Sequence, residues 1–138
     1  MQVYKKILVA MDCSPVDDNI IEHVSMLAVQ NKSEVFLLHV IHAHTLGQDR
    51  ALRDTAESAL KVHTDNLLKL DIKTQVVIRS GEPDDEILRE INENDYDLVA
   101  MATHGHSFIG DILFGSVSRT LKHKISVPLL LVGPGDKK

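Results

Sequence analysis

Ala102-Thr103-His104-Gly105, nine further residues, then Gly115-Ser116-Val117-Ser118 form the segment with the clearest chemical use. It follows an apolar run, Leu98-Val99-Ala100-Met101, that reads as a buried strand, and it leads into residues 117–125, which read as a helix. A glycine-bearing loop between a strand and a helix start is a place where backbone N–H groups face an anion, and the helix dipole adds partial positive charge there. Gly105 and Gly115 would let a phosphate approach the backbone without an intervening Cβ. They serve equally for a left-handed turn and tight packing. Ser116 and Ser118 can donate to phosphate or cap the helix. The pattern is neither Walker A nor GxGxxG.

Asp12 is the second candidate. It closes the first apolar run, where a carboxylate can accept hydrogen bonds from a ribose or adenine group, or support the start of the next helix. The eight histidines include two H-x-H pairs, His42/His44 and His104/His106. Such pairs suit Zn2+, but no third carboxylate or thiol at ligand spacing accompanies them, so no metal site is assigned. His23, His63 and His123 read as surface helix residues. Cys13, the single cysteine, excludes an intrachain disulfide and fits a reducing cytoplasm. It reads as a small, half-buried residue beside Asp12. No Ser-His-Asp spacing, nucleophile elbow or paired carboxylate is evident, and no P-loop lysine is present, so no catalytic residue is assigned.

These residues need a scaffold. Continuous apolar runs at 7–11, 35–41 and 98–102 suit parallel strands buried on both faces. A more polar strand at 72–78 suits a sheet edge, and a fifth strand falls at 128–132. Between them, Ser14 caps a helix with Pro15 at its first position and Asp17 at its third, and Ile20, Val24, Leu27 and Ala28 give that helix one apolar face. A polar loop spans 42–50, followed by a helix marked by Leu52, Ala56, Ala59, Leu60 and Leu67. Pro83 opens a helix carrying Ile87, Leu88 and Ile91. Strands alternating with helices make the class α/β with a parallel sheet.

The 138 residues suit one domain, 1–138, with a single substantial core. Hydrophobic content of 43% with 25% charged residues is ordinary for a globular protein. A formal charge of −5 argues against nucleic-acid affinity, and no apolar run is long enough to span a bilayer.

The segment resembles the nucleotide-binding signature of the universal stress protein family, G-x2-G-x9-G-[ST], with Gly105, Gly115 and Ser116 in register and Ala102 in place of the first glycine. Lys6-Ile7-Leu8-Val9-Ala10-Met11-Asp12, Leu37-Leu38-His39-Val40, Gly81-Glu82-Pro83 with Ile87, and Val127-Pro128-Leu129-Leu130-Leu131-Val132 match further family segments in the right order. His39 and His104 fall where the family often carries histidine.

The resemblance implies a five-stranded parallel sheet of order 3-2-1-4-5 with helices on both faces, Rossmann-like or adenine nucleotide alpha hydrolase-like. Strands 1 and 4 are then neighbours left on opposite sides, a switch point where ligands bind. It implies a cytoplasmic, ATP-binding stress-response sensor or regulator, with AMP as an alternative ligand and Mg accompanying the nucleotide. Asp12 would line the site, Val40 would meet the adenine through its backbone, and Ala10, Met101 and Val117 would complete the lining. The methyl of Ala102 would crowd the ribose and weaken binding. His106, where many relatives carry Arg or Lys, would offer phosphate a hydrogen bond. A homodimer through the fifth strand is also implied, with the downstream protein partner unspecified. The alternatives are a nucleotide-free interaction module of the same family and a slow ATPase.

Overall fold

The computed structural model describes residues 3–102, 119, 121 and 123–133. Five strands, β1 (Lys6–Ala10), β2 (Glu34–Ile41), β3 (Lys73–Ser80), β4 (Leu98–Ala102) and β5 (Leu129–Val132), form one sheet of order β3-β2-β1-β4-β5. Every neighbouring pair is parallel. The fold class and strand order expected above are both present. The connections carry α1 (Val16–Asn31), α2 (Leu46–Lys69) and α3 (Pro83–Glu93), and Arg119, Leu121, His123 and Lys124 are helical ahead of β5.

Strand alternation divides the core into two apolar clusters. Ile7, Val9 and Met11 join Leu98, Ala100 and Ala102 against Ile20, Val24 and Ala28 of α1 and Leu60 and Leu67 of α2. On the opposite face Leu8, Ala10, Val99 and Met101 meet Ile87 and Ile91 of α3 and the buried Leu121. The central strands are buried on both faces, which is why their sequences are unbroken apolar runs rather than alternating ones. The edge strand β3 keeps Lys73, Gln75 and Val76 exposed.

The α3 face also holds a charged network. Glu90, 5% exposed, accepts from Arg79 Nη1 at 2.7 Å, from the Tyr96 hydroxyl at 2.7 Å and from Asn94 Nδ2 at 3.0 Å. Burial and its bond to Glu90 raise the Tyr96 phenol above its usual range. Each partner is satisfied inside the network, so it reads as a structural tie between β3, α3 and the approach to β4.

Three expectations need correction. The polar stretch 42–50 is not all loop, because α2 starts at Leu46 and takes Gly47 into its first turn. Thr45 caps this helix by accepting from Gln48 N at 3.1 Å, while Gln48 Oε1 accepts from His44 N at 2.9 Å. Thr45-x-x-Gln48 is thus a near capping box, strong enough to start a helix in polar sequence. Ser14 is not the cap of α1. Pro15 takes that position in helical conformation, without a side-chain cap. His63 is not a surface residue, since its side chain is 13% exposed and its Nε2 lies 3.9 Å from Asp18 Oδ1; His23 and His123 are exposed as expected.

Candidate functional site

β1 and β4 are adjacent, with Ala10 opposite Met101; α1, which follows β1, packs on one face of the sheet, and Leu121, which follows β4, on the other. The carboxyl ends of these strands therefore form the switch point. Ala10, Asp12, Val40, Met101 and Ala102 all stand at this end. Gly105, His106, Gly115, Ser116, Val117 and Ser118 lie outside the described residues.

Ala10 and Met101 are 1% and 0% exposed, so neither side chain can line a cleft. A ligand would meet them through backbone alone. Val40 is half-buried against the α3-side cluster. Ala102 is placed differently. Strand alternation sets it with Leu98 and Ala100, and it joins the cluster that packs on α1 and α2 with 3% exposure. Its methyl fills core space.

The turn from β1 into α1 is built around a residue that sequence reasoning assigned only to the helix start. Asp17, 1% exposed, accepts the backbone N–H of Asp12 at 2.9 Å and of Cys13 at 2.6 Å. Ser14 Oγ donates to Asp12 Oδ2 at 2.6 Å. Cys13 sits at φ +60, the left-handed region, which costs a non-glycine residue roughly 1–2 kcal/mol. Burial, followed by the charges of Asp17 and Asp12, pushes the Cys13 thiol up to about 12. It is half-buried and protonated at neutral pH, in line with the expectation of an inert cysteine.

This arrangement decides what the turn can bind. Its N–H groups at 12 and 13 are consumed by Asp17, and the first turn of α1 carries Asp17 and Asp18. An anion there would meet two carboxylates. The Asp12 carboxylate stands at this turn with Ser14 Oγ donating to its Oδ2, chemistry that suits hydroxyl or amino donors.

The rim continues over β2. The ring Nδ1 of His39 lies 2.9 Å from the Met11 carbonyl oxygen, so this nitrogen carries a proton and donates it. His42 Nε2 meets Glu82 Oε1 at 3.1 Å, and the His42 and His44 rings lie 5.5 Å apart. No group of three metal-ligating side chains occurs among the described residues. Gly81, at φ +145, donates its N–H to Ile41 O at 2.9 Å, and a Cβ there would fall 2.9 Å from Glu86 Cγ. Glycine is required where this turn closes.

The family model described as the universal stress protein family matches residues 3–133. The chain belongs to the universal stress protein family. Universal stress protein MJ0577 of Methanocaldococcus jannaschii is 25% identical, over 94% of this chain and 95% of its own length. A solved structure of MJ0577 superposes with a TM-score of 0.77, covering 98% of this chain and 99% of that one. Two further structures share the fold at lower identity. The universal stress protein from Archaeoglobus fulgidus in complex with dAMP is 21% identical, with a TM-score of 0.70 over 95% of this chain and 99% of that one. A family protein from Arabidopsis thaliana with AMP bound is 16% identical, with a TM-score of 0.72 over 94% and 91%. Like them, this universal stress protein chain has the 3-2-1-4-5 sheet, and no helix among its described residues is long and apolar enough to cross a membrane.

Proposed function

We propose that this universal stress protein binds an adenine nucleotide at the carboxyl ends of β1 and β4 and acts as a nucleotide-dependent sensor or regulator in the stress response. ATP is the leading ligand, AMP the alternative, and Mg would accompany the phosphates. The observation that carries the reading is the division of labour at the switch point. The β1 turn sets the Asp12 carboxylate beside two N–H groups already bonded to Asp17, which suits ribose or adenine donors better than phosphate. The glycine and serine signature after β4, Gly105, Gly115, Ser116 and Ser118, supplies the residue types that phosphate needs. Val40 and the backbone of Ala10 and Met101 would flank the base, Val117 would complete the lining, and His106 would reach the phosphates. Nucleotide complexes of relatives with the same fold support this choice of ligand class.

The working form we propose is a cytoplasmic homodimer. β5 is an edge strand with Leu129 and Leu130 half-exposed and Leu131 38% exposed, and no charged side chain interrupts it. Such an edge favours pairing with a second copy about a two-fold axis. Sedimentation at high micromolar concentration should show a dimer, and a monomer there would remove this part of the reading.

Protein purified under mild conditions should release adenine nucleotide on denaturation, read as absorbance at the adenine maximum and assigned by chromatography. Purified protein without nucleotide that also fails to take up added ATP would point to the nucleotide-free interaction module. Turnover under saturating ATP would add a slow ATPase.

A further inference from the structure

We propose that Asp17 is a positioning residue of the nucleotide site: by accepting the Asp12 and Cys13 N–H groups together, it holds the left-handed turn at Cys13 and so fixes where the Asp12 carboxylate stands. The inference rests on the nucleotide-binding reading above.

Three observations carry it. The first is geometry: one buried carboxylate, two consecutive backbone N–H groups at 2.9 and 2.6 Å, and a non-glycine residue at φ +60 between the strand end and the helix. Without the acceptor, two half-buried donors lose their partner and the turn loses the contact that offsets its strain. The second is location. The turn begins at Asp12, whose Oδ2 is held by Ser14 at 2.6 Å, so the candidate ligand-binding carboxylate is positioned through its own backbone and through its neighbour.

The third is cost. Burial raises the Asp17 pKa above its ordinary value, against the opposing hydrogen bonds from Asp12 and Cys13. The groups facing it are Asp12 and Cys13 on the turn and His63 from α2, and His63 itself lies beside Asp18. A pKa raised on folding means the unfolded chain releases this proton at lower pH than the folded protein. Fold stability therefore gains from Asp17 as pH falls and loses that gain as pH rises through the raised pKa. Burial thus works against the charge on Asp17, while the two N–H contacts of the turn work for it.

The test compares Asp17→Asn with wild type by calorimetric titration with ATP at neutral pH, using folded protein stripped of nucleotide. The asparagine keeps the shape and one acceptor but turns an amide toward the second N–H. ATP affinity should fall about tenfold, the scale of one lost charge-assisted hydrogen bond. The acid-side gain in stability should disappear from the denaturation profile of the variant. Asp97→Asn, which alters a similar pair of backbone contacts at the far end of the sheet, should leave ATP affinity unchanged. Equal ATP affinity in wild type and folded Asp17→Asn would overturn the positioning role alone. A wild type that takes up no ATP would overturn the nucleotide-binding reading and this role with it. Should Asp17→Asn fail to fold, the Asp12 and Cys13 amide resonances of wild type decide: they should follow the Asp17 titration and shift on ATP saturation. Resonances unmoved by saturating ATP would count against the role.

Discussion

Two carboxylates in this protein do the same job at opposite ends of the sheet. Asp97, just before β4, accepts the backbone N–H groups of Lys5 and Lys6, both at 2.9 Å. Asp17, just inside α1, accepts those of Asp12 and Cys13. Asp97 is exposed and ties the entry of β1 to its neighbour, in company with Asn31, which accepts from Val3 N at 3.1 Å. Asp17 is sealed from water, acts on a strained turn, and is raised in pKa by its burial. An exposed carboxylate secures two N–H groups without desolvation, so the amino end is fastened cheaply. The carboxyl end is fastened at a cost, and costs of that kind gather where a fold has been adapted to bind something.

The largest effect is expected in the proposed phosphate segment. Gly115→Val places a β-branched side chain where phosphate would approach, so ATP binding should vanish while the circular dichroism spectrum stays that of wild type. A variant that binds as tightly as the parent would put the phosphate elsewhere. Asp97→Ala should do the reverse. It should lower stability by about 1 kcal/mol in a denaturant titration, the net scale of an ordinary hydrogen bond, because Asp97 is exposed, and leave ATP affinity unchanged.

Ala102 sharpens the boundary between fold and site. Its methyl sits in the cluster under α1 and α2. Ala102→Gly should therefore cost about 1 kcal/mol of stability through lost burial and added backbone freedom. It should not tighten ATP binding. Tighter binding would mean that the methyl does press on the ribose. The smallest effect belongs to His106. If it reaches phosphate, affinity should rise as pH falls toward about 6, where the imidazole gains its charge, and His106→Gln should flatten that rise. Identical pH profiles would remove His106 from the site.

The strands were legible because the central ones are buried on both faces and leave unbroken apolar runs, as in Ile7-Leu8-Val9-Ala10. The start of α2 was hidden by Gly47 and polar neighbours, although Thr45 and Gln48 carried the capping signal. His63 looked like any polar residue of a long helix, and only the way α2 lies beside α1 brings it near Asp18. The spacing of Asp12, Ser14 and Asp17 suited a helix cap equally well. It takes the φ of Cys13 and the direction of two N–H groups to show that Asp17 faces backward into the turn. The side taken by Ala102 follows from counting by twos along β4 from Leu98, but which helices cover that side depends on the strand order.

Nucleotide binding at the switch point is the central claim, and calorimetric titration of ATP into nucleotide-stripped wild-type protein tests it most directly. Saturable binding with one ATP per chain is expected. Heats that never saturate, at protein concentrations where the chain is folded, would contradict it.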